Sequence, residues 1–338
     1  MTTSDTSAPT VFDVAREAGV SISTVSKALN RSGQLRDETR ERIAAVAHRL
    51  GYEPRHGKRS ANGSHAYTVG LLTTGRFSRL ADEIVPALED TFKARLAAIH
   101  LAEGQGDPAR EQHHVERFVT RGVDAIVVAG QNTAPRPPLV GTGDVPVCYV
   151  LSPSQRPQDV SIVIDDEQGA RLATTHLLAR GCRRIAYIGG PHEHPSARLR
   201  HAGMRKTLRT AGIEPATPSA LWHEWSEDGG REAANILVGS GADVDGIVCA
   251  NDQLARGAVE QLQHLGTRVP EDVAVVGFGN WDVIASAARP QLTSVDPRLD
   301  RLGHAVAETT LALIHGDERH GSIPLGCELV ERASTRSA

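Results

Sequence analysis

A chain of 338 residues, 40% hydrophobic and 23% charged with a formal charge of −4, is long enough for two or three cores and has the apolar content of a globular protein, not of a disordered or fibrous one. Its 41 acidic residues outnumber its 37 basic ones, which excludes a uniformly basic nucleic-acid coat, and no apolar run reaches membrane-spanning length. The charge is uneven: ten Lys and Arg face seven Asp and Glu through His65, and 27 face 34 beyond it, so any nucleic-acid contact is expected at the N-terminal end.

Residues 1–9 read as a polar, disordered tail without a signal peptide's apolar segment, and the expected compartment is the cytoplasm. Thr10 is a good N-cap, Asp13 suits a first helical turn, and Val14, Ala15 and Ala18 share one face, so a helix is expected from 10 to 18. Gly19 ends it, Val20 plugs a tight turn, and Ser21 caps a second helix running through Thr24, Val25, Ala28 and Leu29. Helix, short glycine turn and helix is the geometry that lays a second helix in the DNA major groove. The exposed face of that second helix is expected to carry Ser23, Thr24, Ser26, Lys27 and Asn30, all hydrogen-bond donors and none acidic.

This stretch resembles the DNA-binding head of the LacI/GalR family of bacterial transcriptional repressors. The likeness continues through Asp37-Glu38-Thr39-Arg40, the start of a third helix, and ends at Leu50-Gly51-Tyr52-Glu53-Pro54. It implies a head over 10–54, with Ser21, Ile22, Ser23 and Lys27 facing the groove. Ile22 and Ser23 fall where the family reads bases, and Ile22 suits a thymine methyl. The expected DNA-binding set also takes in Thr10, Thr24, Ser26, Asn30, Arg36, Thr39, Tyr52 and Arg55.

Residues 55–66 read as a basic, Gly- and Ser-containing hinge linker. Family members carry a short hinge helix here, with a Leu that wedges into the minor groove. That position falls on Ala61, and Gly57 and Gly63 weaken a helix by about 1 kcal/mol each, so a firm hinge helix and a sharp operator kink are not expected. His56, Lys58 and Arg59 would hold the DNA electrostatically instead, with a steep salt dependence.

From Tyr67 onward apolar strands alternate with helices. Strands are expected at 68–72, 97–102, 125–128, 147–151 and 161–164, then at 184–188, 220–223, 246–249, 274–277 and 293–295. Helices are expected at 167–180, 198–211, 230–238 and 253–265. Alternation of this kind argues for parallel sheets covered on both faces, and the series divides near Asp165. The expected fold class is thus a small all-α helix-turn-helix head followed by two α/β doubly wound parallel-sheet subdomains. The resemblance makes these periplasmic-binding-protein-like, through the segments SARLRHAG, VCANDQLARGA, VPEDVAVVGF and RPQLTSVD. An effector-binding and dimerisation domain is expected over 67–338. Its N-subdomain covers 67–164 plus 297–320, its C-subdomain 165–296 plus 321–333, and 299–315 and 325–331 cross back to finish them. Cys148, Cys182, Cys249 and Cys327 are far apart and lack CxxC spacing, so buried reduced thiols are expected.

In doubly wound sheets ligands bind beyond the carboxyl ends of the strands, and two facing subdomains can close on a small molecule. All three Trp, at 222, 225 and 281, are expected just after strands of the second subdomain, where an indole face can stack on a sugar ring. The resemblance makes Trp225 an aromatic effector contact, Arg200 the arginine that grips effector hydroxyls or acids, and Asn251 and Asp252 polar contacts. Thr74, Phe77 and Ser78 would line the site from the first subdomain, with Trp281 and Asn280 completing it. Two departures remove family acceptors, Gly279 after the VVGF strand and Leu151 at the end of the 147 strand, which Asn280 and Asp166 could replace.

An enzyme is disfavoured, because neither GxGxxG nor GxxxxGK[ST] follows a strand and no cofactor fingerprint is present. His192-Glu193-His194 lacks the i,i+4 spacing of a helical metal site, and the adjacent Asp165 and Asp166 diverge. A free-standing sugar-binding protein is disfavoured by the fused head. The expected function is a homodimeric transcriptional regulator, a repressor, on a pseudo-palindromic operator. A carbohydrate or a derivative controls it, with no metal, cofactor or membrane partner. The absence of a C-terminal heptad run makes the dimer the default.

Overall fold

The computed structural model describes residues 11–29, 35–52, 67–74, 79–93 and 97–335. In the head, α1 (Val11–Ala18), α2 (Ile22–Leu29) and α3 (Asp37–Leu50) enclose a small core. Val14, Ala15, Ala18, Val25, Ala28, Ile43, Val46 and Ala47 fill it, and Val20, Leu29, Leu35, Leu50 and Tyr52 close its edge. Gly19 has φ +61°, a conformation that β-carbon sterics deny to most residues, and this lets the chain reverse within two residues. The Val20 N–H then bonds back to the Ala15 carbonyl at 3.1 Å. Ser21 caps α2, its Oγ accepting from the Thr24 N–H at 3.2 Å.

Two six-stranded sheets follow. The first holds β1 (Thr68–Thr73), β2 (Ala98–Glu103), β3 (Ala125–Ala129), β4 (Val147–Val150), β5 (Val160–Ile164) and β11 (Gly321–Leu325). Its strand order is β11-β5-β4-β3-β1-β2. The second holds β6 (Ile185–Gly189), β7 (Leu221–Trp222), β8 (Gly246–Cys249), β9 (Ala274–Phe278), β10 (Thr293–Asp296) and β12 (Glu328–Val330). Its order is β12-β10-β9-β8-β6-β7, with β6, β7, β8, β9 and β10 parallel and β12 antiparallel to β10. Strands β3, β6, β8 and β9 are buried at every residue, as expected where helices cover both faces of a sheet.

Helices α4 (Arg79–Lys93), α5 (Pro108–Thr120) and α11 (Leu299–Ile314) belong with the first sheet. Helices α6 (Asp166–Ala179), α7 (Pro195–Thr210), α8 (Glu227–Gly239), α9 (Asp252–His264) and the short α10 (Asp282–Ala285) belong with the second. The chain groups into two compact units, Met1–Ile162 with Asp300–Ile323, and Val163–Leu299 with Pro324–Ala338. In the first unit Leu72, Val115, Phe118, Ile126, Val128 and Tyr149 form a buried cluster, and the Tyr149 hydroxyl accepts from the Leu139 N–H at 2.8 Å. The second unit seals its C-terminal end inward. Ser334 is fully buried, its Oγ accepting from the Thr293 N–H at 2.9 Å and donating to the Val275 carbonyl at 2.6 Å.

The elements differ from the sequence expectation mainly at their ends. Pro195 occupies the first turn of α7, and Ser226 caps α8 through the Gly229 N–H at 3.0 Å, so both helices start three residues earlier than periodicity alone suggested. The C-terminal segment splits between the sheets, β11 finishing the first and β12 the second. Trp222 corrects the expectation that every Trp follows a strand. It lies within β7, with Tyr187, His192 and His201 around its ring.

Candidate DNA-binding face and effector site

On the head, Ser21 and Lys27 are exposed and Thr24 is half-buried. The Ser21 and Thr24 hydroxyls hydrogen-bond to each other at 2.8 Å, which orients both at the start of α2. The Lys27 carbonyl accepts from the Arg40 guanidinium, tying α2 to α3 while its ammonium faces solvent. Arg36 is exposed immediately before α3, Thr39 is half-buried in its first turn, and half-buried Tyr52 packs against the head core. The backbone of Ile22, Ser23 and Ser26 belongs to α2, while their side chains fall outside the described set. Thr10, Asn30, Arg55, His56, Lys58 and Arg59 also lie outside the described residues, as do Ala61 and the whole expected hinge.

In the second sheet β6 pairs with β7 on one side and β8 on the other, so the winding reverses between β6 and β8. The crevice beyond the carboxyl ends of those two strands is where doubly wound sheets receive ligands. Gly190 leaves β6 there, and the Trp225 ring lies directly over it, where a β-carbon would collide with the indole. Half-buried Trp225 has the His194 ring edge-on at 5.9 Å. Arg200, on the second turn of α7, directs Nε and Nη2 onto Asp166 Oδ1 at 2.8 and 2.7 Å. Its Nη1 donates to the Ala250 carbonyl at 2.5 Å, and its guanidinium lies 3.6 Å above the Phe278 ring centroid. The Asp166 side chain is 0% exposed, and its Oδ2 has no hydrogen-bond partner among the described residues. Burial pushes its carboxyl above the ordinary range, and the Arg200 charge opposes that shift.

Asn251 caps α9, its Oδ1 accepting from the Leu254 N–H at 2.8 Å. Asp252 is 2% exposed, with the Trp281 N–H on Oδ2 at 2.7 Å and the Ser294 hydroxyl on Oδ1 at 2.5 Å. Asn280 donates from Nδ2 to Asp296 Oδ2 at 3.0 Å and accepts at Oδ1 from Arg332 at 2.7 Å. These three polar side chains, expected as effector contacts, also brace the strand ends and the start of α9. Trp281 is half-buried before α10. Thr74 follows β1, half-buried, its N–H bonded to the Ala129 carbonyl at 2.9 Å, while Phe77 and Ser78 lie outside the described residues.

Sequence reading missed the Ala250 carbonyl and Phe278, which hold Arg200, and Gly190, which makes room for the Trp225 ring. Backbone groups and packing faces leave no spacing pattern. No group of three or more metal-ligating side chains occurs among the described residues. The four cysteines are free and buried, and burial pushes the Cys148 and Cys327 thiols up to about 12, which keeps them unreactive at neutral pH. No helix among the described residues is long and apolar enough to cross a membrane.

A helix-turn-helix head joined to two doubly wound units, one with an arginine and an indole at its switch point, defines a ligand-responsive DNA-binding regulator. Residues 10–55 match the family described as bacterial regulatory proteins, lacI family, and residues 174–335 match the periplasmic binding protein-like domain. The HTH-type transcriptional regulator GntR of Escherichia coli is 28% identical over 310 residues, covering 91% of this chain and 93% of its own. Among solved structures, the Lac repressor dimer bound to operator and the anti-inducer ONPF superposes with a TM-score of 0.68 at 28% identity, covering 98% of this chain and all of that one. The complex of the transcriptional regulator CelR with cellobiose gives 0.66 at 29% identity, covering 96% of this chain and 99% of that one. The chain thus has a lacI-family head and a periplasmic-binding-protein-like domain, and the relatives it matches along its length are DNA-binding transcriptional regulators.

Proposed function

We propose that this protein is a cytoplasmic repressor whose homodimer grips a pseudo-palindromic operator with paired heads and answers to a small carbohydrate or carbohydrate derivative. The observation that carries the reading is α2, capped by Ser21, docked on α3 and presenting Lys27 to solvent, in the same chain as an arginine–indole strand end. The operator-bound Lac repressor dimer and the cellobiose-bound CelR support it by likeness. Ser21, Ile22, Ser23 and Lys27 read the groove. Thr10, Thr24, Ser26, Asn30, Arg36, Thr39, Tyr52, Arg55, His56, Lys58 and Arg59 serve the backbone and the hinge. Arg200, Trp225 and Trp281 meet the effector. Two linked heads raise apparent affinity on the order of a hundredfold without new contacts.

The test is selection of duplexes from a random pool by the intact protein. The selected sites should be two-fold symmetric, and Lys27→Ala should lower affinity for them by about 1–3 kcal/mol. A pool without symmetric enrichment, or Lys27→Ala and Ile22→Ala both binding as the wild type does, would refute the reading.

A further inference from the structure

We propose that Asp166 sets the charge class of the effector, so that this protein accepts an uncharged, hydroxyl-bearing molecule and rejects carboxylates and phosphates. The inference rests on reading Arg200 as an effector contact. An unpaired guanidinium is an anion receptor, because its planar fork matches the oxygens of carboxylate and phosphate. Arg200 is not unpaired. Two of its nitrogens converge on a single Asp166 oxygen, a third holds the Ala250 carbonyl, and its face is covered by Phe278. Two N–H groups on one oxygen at 2.7–2.8 Å fit an ionised carboxylate, so the cationic charge is cancelled at contact distance. Side-chain exposures of 11% for Arg200 and 0% for Asp166 mean that water does little to screen that cancellation.

Asp166 Oδ2 points the same way. It is buried without a partner among the described residues, so the pair keeps unmet acceptor capacity and no spare positive charge. Neighbouring groups do not reverse the balance. Asp252 and Asp296 add carboxylates at the same strand ends, Arg332 is engaged by Asn280 Oδ1 and the Leu292 carbonyl, and Arg298 pairs with Glu328. A hydroxyl needs no net charge. The five N–H groups of a guanidinium leave Arg200 two beyond the three it uses, enough to donate to neutral oxygens. Trp225 over Gly190 supplies the apolar face that the C–H groups of such a molecule require.

The test follows thermal unfolding at pH 8 with gluconate, glucose 6-phosphate and inorganic sulfate as anionic probes. None should stabilise the wild type. Asp166→Asn removes the cancelling charge and keeps the side chain's size, so these oxyanions should raise its melting temperature by about 2–4 °C, and the rise should vanish in Asp166→Asn/Arg200→Gln. Asp166→Ser provides the same release of Arg200 should the Asn variant not fold, with circular dichroism as the folding check. An Arg200-dependent stabilisation of the wild type by any of the three anions would overturn the proposal. So would a folded Asp166 variant that gains nothing from them. A gain equal in the single and double variants would instead show that Arg200 is not the contact, overturning the site reading beneath it.

Discussion

Trp225 keeps its ring over Gly190 because no other residue leaves room there for an indole. Gly190→Ala should push the ring outward, shifting tryptophan emission to longer wavelength and removing any ligand-induced change, while the head, in the other unit, keeps its DNA affinity. Steady-state fluorescence and DNA anisotropy on the same variant check this, and unchanged emission would count against the contact. Arg200 stood out in the sequence because it sits in a segment with a family likeness, and Trp225 because it follows an expected strand. The partner of Arg200 was less legible: Asp166 stood out as half of an adjacent acidic pair and as a stand-in for a missing acceptor, not as the residue that holds Arg200. What joins them is the packing of α6 against α7, which brings together residues 34 positions apart. Sequence spacing carries no trace of such a contact.

The helix starts show where local chemistry suffices. Asp107, Asp165, Ser226 and Asn251 each accept a backbone N–H at the head of a helix, the role that short polar side chains fill best. The cap at Asn251 yields a prediction that separates bracing from ligand contact. Asn251→Ala should cost about 1 kcal/mol of stability, read by denaturant unfolding, with ligand affinity nearly unchanged. Lost affinity at unaltered stability would restore Asn251 to the effector contacts. The short strand β7 falls inside the strand expected at 220–223, and what the reading misplaced was Trp222, which stands within it. The division of the C-terminal segment into β11 and β12 depends on which sheet edge each half meets, a tertiary choice that the pattern of apolar residues does not encode.

At the scale of the whole molecule, the alternation of strand and helix was enough to expect two doubly wound units, because each βα repeat is a local signal repeated along the chain. What the repeats do not encode is how ligand and DNA are linked. For a regulator, linkage is a coupling free energy, and it is reciprocal: whatever factor the ligand applies to DNA affinity, DNA applies to ligand affinity. The most direct measurement is therefore a ligand titration of the intact protein, followed by tryptophan emission, with and without a saturating selected operator. The ligand would be taken from a panel of uncharged sugars screened by thermal shift. The account predicts that operator changes the ligand's dissociation constant by about 5–150-fold, and that the ligand changes operator affinity by the same factor. Identical ligand affinities with and without operator would contradict it.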